Sequence, residues 1–270
     1  MLPLWRDEVS VFVGPRRVAL TRMRRGVRPT CIAEASSTVE RAGQDDWVAT
    51  RSTLEGLLVQ PAWRDADARV VISDHWARYA LVPWSGALHD ESERQTYARH
   101  TLATVYGETS SLWTMAMSQY MHASARVVSA LPTALLADIR SMLESCRLRL
   151  VSVQPQLVAA YNAWRHRLPD GAAWFVTVDD GLLAAAHQSD DGWDVVHSIR
   201  VRGAWRNELD RVRKLRRLQR GVDTDDPVYV HAPPALRGDA SRTGGEFEWL
   251  EEEPLATASD KLQLLRGLYQ

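Results

Sequence analysis

The sequence predicts a mixed α/β fold made of two similar lobes, because the same order of elements occurs twice along the chain. Each occurrence opens with three short runs of apolar and β-branched residues separated by turn residues, which is typical of an antiparallel meander. Each then continues into helices and strands, the pattern of α/β crossovers. The chain has 270 residues, of which 45% are hydrophobic and 25% charged, so it can bury a large core.

The first occurrence is predicted to begin with strands at residues 9–14, 17–23 and 29–35, with Gly14-Pro15 as the first turn. Apolar residues at helical spacing then predict a helix at 45–59 and another at 90–105, for which Asp90 is the expected N-cap. The remaining elements of this half are strands at 69–73, 76–82, 112–118 and 125–130, a helix from Thr133 to Ser145, a strand at 147–153 and a helix at 155–167.

The second occurrence begins with strands at 173–178, 182–188 and 193–199, joined by Asp-Gly turns. A helix at 204–219 and a strand at 227–231 follow, then a mobile loop at 235–247 and a short helix within 251–270. We therefore expect one lobe over residues 1–168 and a second over 169–270. Such a duplication is typical of the actin or ribonuclease-H type of fold, in which each lobe has a mixed β-sheet flanked by helices. A single α+β domain is the alternative.

Composition and motifs exclude several classes of function. The net charge is −1, so no global field recruits nucleic acid or anionic lipid. The only lysines are Lys214 and Lys261, which excludes a catalytic lysine earlier in the chain. The usual phosphate-loop, dinucleotide, nucleophile-elbow and zinc-protease motifs do not occur. The eight histidines are dispersed, and Ser73-Asp74-His75 is predicted to be a turn and not a catalytic triad.

The location of the chain is expected to be cytoplasmic. Charged residues appear by the sixth position, which leaves no room for the apolar segment of a signal peptide, and no stretch approaches the roughly 20 apolar residues of a membrane span. Cys31 and Cys146 form no metal-spaced cluster and are predicted to be free thiols.

Three segments carry a resemblance to a known family: VVISDHWARYALVPW at 70–84, LRLVSVQPQLVAAYNAWR at 148–165 and WFVTVDDGLLAAA at 174–186. Together with the element order, they resemble the actin-like proteins of bacterial pilus and secretion machines, the group of PilM and of the cytoplasmic domain of GspL. The resemblance covers most of the chain. It implies a cytoplasmic adaptor that binds an inner-membrane assembly protein of a type IV pilus or type II secretion platform.

Nucleotide-binding members of the actin-like family use three sites, and this chain departs from each. The first Asp-x-Gly is replaced by Phe12-Val13-Gly14, and Pro15 then removes a backbone donor. The second is kept in letters as Asp179-Asp180-Gly181, but Leu182-Leu183-Ala184 follows where hydroxyl residues are expected. The third, a glycine pair after a late strand, is replaced by His231-Ala232-Pro233-Pro234.

These departures predict a protein without catalytic residues, cofactor or metal, in which Gly14, Asp179 and Gly181 are remnants of a nucleotide site. ATP hydrolysis depends on metal-bridged phosphates and a positioned water, which the altered positions do not provide. We expect a pseudo-ATPase that serves as a scaffold and does not bind nucleic acid. An ATP-binding actin-like ATPase and a nucleic-acid-binding α/β protein are the alternatives.

Two further features point to partner surfaces. The chain has 11 tryptophans, and five of them lie near predicted element ends, where a docking role is expected for one or two: Trp5, Trp63, Trp76, Trp84 and Trp205. The predicted helix at 205–220 is rich in arginine. Trp205, Leu209, Val212, Leu215 and Leu218 predict a buried stripe on it, and its cations also suit an acidic membrane, an acidic partner or nucleic acid.

Overall fold

The structure is a computed structural model that describes residues 6–26, 29–40, 46–118, 124–179, 181–189, 192–221, 225–233, 236 and 247–250. The loop predicted at 235–247 lies mostly outside these residues, and the helix predicted within 251–270 lies wholly outside them.

The first sheet has five strands in the order β3-β2-β1-β4-β8. The meander pairs antiparallel, whereas β4 pairs parallel with both β1 and β8. All six residues of β1 are buried, as expected of a central strand covered on both faces. The strands are β1 (Glu8–Val13), β2 (Arg17–Arg24), β3 (Thr30–Thr38), β4 (Asp67–Ile72) and β8 (Arg149–Pro155).

The second sheet repeats this arrangement, with the order β11-β10-β9-β12-β13. Its meander is again antiparallel, and β12 pairs parallel with β9 and β13. The strands are β9 (Ala173–Asp179), β10 (Leu182–Ser189), β11 (Gly192–Arg200), β12 (Val228–His231) and β13 (Glu248–Trp249). The predicted repeat of a meander followed by parallel strands is therefore confirmed.

A third sheet lies between these in sequence and contains three antiparallel strands in the order β5-β7-β6. Its strands are β5 (Arg78–Val82), β6 (Trp113–Met117) and β7 (Arg126–Pro132). Helix α2 (Glu91–Tyr106) buries Ala98 and Leu102 against the sheet. The strands were predicted individually, but their assembly into a separate sheet was not.

The remaining helices are α1 (Asp46–Leu58), α3 (Thr133–Ser145), α4 (Gln156–Trp164) and α5 (Trp205–Arg220). All five α-helices in the described ranges fall where the apolar spacing predicts them. Short 3-10 helices occur at Pro61–Trp63, Glu108–Leu112 and Arg165–Arg167. Arg165–Arg167 lies within the helix predicted at 155–167. The other two were not predicted, because three to five residues are too few for a periodic pattern.

The chain separates into two compact units. The first contains the described residues of Met1–Trp76 and Thr133–Ala163, and the second those of Ala77–Pro132 and Trp164–Glu253. The first sheet thus belongs to one unit, and the other two sheets to the second. The lobes expected at 1–168 and 169–270 follow the sequence repeat and stay a prediction.

Candidate functional site

The turn between β1 and β2 is the first place that the family resemblance assigns to phosphate, and its backbone is already hydrogen-bonded. The amide of Gly14 donates to the carbonyl oxygen of Arg17 at 2.9 Å. The hydroxyl of Thr50, on α1, donates to the carbonyl oxygen of Gly14 at 3.3 Å. Because Pro15 has no amide hydrogen, two of the backbone donors that a phosphate would need here are missing or occupied.

Phe12 fills the space beside this turn. Its buried ring packs against a cluster formed by Ala19, Val71 and Ala159. A Cβ atom added to Gly14 would lie 2.9 Å from Cε1 of Phe12, so glycine and ring are in tight contact. The guanidinium carbon of Arg17 lies 4.7 Å from the ring centroid, a cation–π contact. An apolar side chain therefore stands where a metal-bound phosphate needs a carboxylate.

Buried side-chain atoms on the same face of this sheet have no hydrogen-bond partner within the described part of the chain, among them Nε of Arg17, Oγ1 of Thr21 and Oε1 of Gln154. Gln154 lies in one row with Phe12 across the sheet, with Val71 between them. A guanidinium and an amide can bind water or an anion, but neither replaces the acidic group that holds the metal of a nucleotide. These residues do not fit a magnesium triphosphate.

The segment Ser73–His75 is a turn, as predicted. The amide of Trp76 donates to the carbonyl oxygen of Ser73 at 3.2 Å. Both carboxylate oxygens of the buried Asp74 accept from the amide of Leu157, at 3.0 and 3.2 Å. Leu157 lies in the first turn of α4, so the carboxylate stabilises the start of that helix.

The second place assigned to phosphate is the turn between β9 and β10. Gly181 has a φ of +74°, in the left-handed region that favours glycine. Its carbonyl oxygen accepts from the amide of Val201 at 2.8 Å. Asp179 ends β9 and pairs with Leu182 on β10, while Asp180 lies outside the described residues. The turn alone therefore requires this glycine. Gly14 belongs to the first unit, and Asp179 and Gly181 to the second.

The third place follows β12, where nucleotide-binding relatives have two glycines. Here His231 is buried, and its ring centroid lies 6.0 Å from that of Trp164. The guanidinium of Arg167 lies over the same tryptophan at 5.4 Å. A nucleotide base can approach the backbone closely only where side chains are absent, and here side chains occupy that position.

The candidate tryptophans differ in accessibility: Trp63 is fully buried, against the expectation, and Trp5 lies outside the described residues. Trp205 is only 7% exposed and packs in the core of the second unit, near Phe247 and Trp249. Trp76 is half-buried and makes an edge contact with Trp47. Trp84 is 48% exposed. The expectation that an element end exposes the ring therefore fails for Trp205, because the first turn of α5 faces the core, and it holds for Trp84.

A buried ionic network in the second unit was not predicted. Nδ1 of His187 lies 2.6 Å from Oδ1 of Asp194, and Nε2 lies 2.9 Å from Oδ2 of Asp226. Arg216 reaches both carboxylates, at 3.0 Å to Asp194 and 3.4 Å to Asp226. The ring of His187 packs edge-on to Trp174, with centroids 4.8 Å apart. The network joins residues of β10, β11, α5 and the segment before β12, so no single local pattern could reveal it.

The network alters the ionisation of Asp194. Burial by itself raises the pKa of this carboxyl, but hydrogen bonds from His187 and Arg216 outweigh burial, and the pKa lies below its usual value. Asp194 and Asp226 thus lie at the two ring nitrogens of His187, and Arg216 pairs with both carboxylates. The network is a structural element of the core.

Metal chemistry has no obvious place in the described ranges, since no group of three or more His, Cys, Asp or Glu side chains is arranged to hold an ion there. Cys31 and Cys146 are not joined in a disulfide.

Comparison with known proteins identifies the fold. No protein-family model and no curated protein matches the sequence. A structure of the PilM–PilN type IV pilus biogenesis complex matches with a TM-score of 0.63 over 97% of this chain and 98% of that chain, at 16% sequence identity. The chain has an actin-like fold.

Other structures agree with this assignment of the actin-like fold. The cytoplasmic domain of EpsL, an inner-membrane component of the type II secretion system of Vibrio cholerae, matches with a TM-score of 0.55 at 10% identity, over 97% of this chain and 94% of that one. A Bacteroides thetaiotaomicron protein with an actin-like ATPase fold and unknown function gives 0.57 at 8% identity, over 89% and 88%. The predicted resemblance to PilM and to a GspL-type cytoplasmic domain is confirmed at the level of fold. No described helix is long and apolar enough to cross a membrane.

Proposed function

We propose that this actin-like chain is a cytoplasmic, non-catalytic adaptor that binds an inner-membrane assembly protein of a type IV pilus or type II secretion-like platform. One observation carries the proposal: the buried ring of Phe12 stands in the first hairpin where an actin-like nucleotide site needs a carboxylate. The similarity to PilM in complex with PilN supports a protein partner.

The charges around the first hairpin do not suit ATP hydrolysis. Phosphoryl transfer needs metal ions that bridge the phosphates and neutralise the charge that develops on them. Position 12 offers an aromatic ring, and the carboxylate of Asp74 is engaged by the amide of Leu157. A protein that has this fold but no metal-assisted phosphoryl transfer can still bind a partner protein through its surface.

The partner-binding proposal is tested by titrating the purified chain with a synthetic peptide. The peptide is a cytoplasmic segment of the PilN-type assembly protein from the same organism, and a scrambled peptide is the control. We expect saturable binding with one peptide per chain, unchanged by added Mg-ATP, in a calorimeter. Binding of both peptides alike, or of neither, contradicts the proposal.

A second candidate is a weak nucleotide or anion site without turnover. The unpartnered Nε of Arg17 and Oε1 of Gln154 favour such a site, because buried polar groups are normally satisfied by protein, water or ligand. If such a site exists, ATP raises the thermal midpoint of the chain and Arg17→Ala removes that shift. An identical shift in the variant excludes the site.

A further inference from the structure

Helix α5 is rotated differently from the prediction. Trp205, Leu209 and Val212 are buried as expected, but the next inward position is taken by Arg216. Leu215 and Leu218 are instead 46% and 74% exposed, so the predicted burial of these two leucines is wrong. The second half of the helix therefore turns apolar side chains outward.

The rotation has an identifiable cause in the buried network. Nε and Nη2 of Arg216 donate to Oδ2 of Asp194, at 3.1 and 3.0 Å. Nη1 of the same guanidinium lies 3.4 Å from Oδ2 of Asp226. A charge pair held this deep in the protein is costly to break, which fixes the face that α5 presents to the core. Leu215, the residue before Arg216, therefore points away from that core.

Cations flank the exposed leucines. Positions 211, 214, 215 and 218 lie on one face of an α-helix, and Arg211 and Lys214 on this face are exposed. Lys214 has no ion-pair partner in the described ranges, and Arg211 pairs with Glu208 at 2.9 Å. The neighbouring acids Asp210 and Asp225 pair with Arg213, which lies on the adjacent side of the helix.

We propose that this lipid-facing surface, formed by Arg211, Lys214, Leu215 and Leu218, docks directly on an anionic bilayer. Two leucines one turn apart on a convex helix, beside cations, suit insertion between headgroups with the charges at the phosphate level. A partner helix would need an apolar stripe that continues over several turns. This contact goes beyond the proposed adaptor function, in which a partner protein alone holds the chain at the membrane.

The test is sedimentation of the purified full chain with vesicles. One set contains phosphatidylglycerol and phosphatidylcholine, and the other phosphatidylcholine alone. We expect binding to the anionic vesicles only, and its loss in 0.5 M salt, since screening shortens the range of the attraction to roughly 4 Å. Lys214→Ala should weaken the vesicle partition coefficient about fivefold, the contribution of one cation near such a surface.

The paired variant Leu215→Ser/Leu218→Ser should weaken the partition coefficient at least tenfold, because both apolar side chains leave the interface. Leu112→Ser is the matched control, since Leu112 is 67% exposed but lies outside the lipid-facing surface. Circular dichroism checks that each variant is folded. We expect all of them to fold, because the substituted side chains are exposed.

Three outcomes overturn the proposal: absence of sedimentation, equal binding to both vesicle sets, or an unchanged partition coefficient in the paired variant. Binding of a synthetic acidic amphipathic helical peptide without vesicle binding also overturns it and assigns the face to a protein partner. The peptide titration contains no vesicles and the sedimentation contains no partner protein, so the two proposals can fail independently.

Discussion

At the scale of single residues, Phe12 and Gly14 decide what the first hairpin can hold. The ring lies in tight contact with Gly14, on a row of buried residues that crosses the sheet through Val71. A phenylalanine in place of an acidic residue at position 12 removes a possible metal ligand and adds an apolar side chain to the core. A sequence pattern predicts the loss of the acid, but only the structure shows that the ring fills the space beside the turn.

The tight contact at Gly14 leads to a stability prediction. Gly14→Ala should lower the free energy of unfolding by about 1–3 kcal/mol, because its Cβ would lie 2.9 Å from Phe12 and 3.3 Å from the carbonyl oxygen of Arg17. Gly56→Ala is the control. It lies within α1 with nothing within 4 Å of the added Cβ, so it should stabilise the chain by about 0.5–1 kcal/mol. Urea denaturation measures both, and equal effects would contradict the packing described for Phe12.

The network around Asp194 leads to a pH prediction. Because the folded-state pKa of Asp194 lies below its ordinary value of 3.8, the carboxylate stabilises the fold above that pH, and this stabilisation is lost as the pH falls below it. Asp194→Asn should cost about 3–5 kcal/mol near pH 7, because it removes one of the two carboxylates that pair with the buried Arg216, and the cost should shrink at pH 3.

The control for this change is Asp210→Asn, which removes an exposed partner of Arg213 and should cost less than about 1 kcal/mol. Urea unfolding at both pH values measures the difference between the two variants. A cost of Asp194→Asn that is the same at pH 3 as at pH 7 would show that its ionisation does not stabilise the fold.

At the scale of elements, the start of α2 was read from sequence and is confirmed. The carboxylate of Asp90 accepts from the amide of Glu93 at 2.8 Å, and the carboxylate of Glu93 accepts from the amide of His89 at 2.7 Å. Such reciprocal capping satisfies amides that the helix itself cannot.

Removing this cap gives the element-scale prediction. Asp90→Ala should lower the free energy of unfolding by about 0.5–2 kcal/mol, whereas Asp90→Asn should change it by only a few tenths, since asparagine caps equally well. Thermal unfolding followed by circular dichroism compares the two. If alanine and asparagine behave alike, the side-chain hydrogen bond does not stabilise α2.

Helix α5 marks where sequence reasoning fails at this scale. Its location was predicted because the apolar spacing is regular, but that spacing assigned Leu215 and Leu218 to the core. The inward position belongs to Arg216, since Asp194 on β11 and Asp226 before β12 supply its counter-charges. Periodicity treats every arginine as a surface residue, so it could not anticipate a buried one whose partners are distant in sequence.

At the scale of the whole molecule, the repeat of two meanders was readable because each consists of short strands with turn residues between them. The two matching strand orders, β3-β2-β1-β4-β8 and β11-β10-β9-β12-β13, confirm it. The separate sheet β5-β7-β6 was not readable, because its strands pair across helix α2 and no local pattern specifies which strands pair. For the candidate site, the sequence could show only that the acidic and glycine residues expected of a nucleotide site are absent from two of its three positions.

The most direct test of the central claim is calorimetric titration of Mg-ATP into the purified chain, with inorganic pyrophosphate as a second titrant. We expect no saturable magnesium-dependent binding of ATP or pyrophosphate and no release of phosphate, because Phe12 supplies no carboxylate for the metal. Magnesium-dependent ATP binding in the micromolar range, abolished by a substitution at Asp179, would contradict this claim.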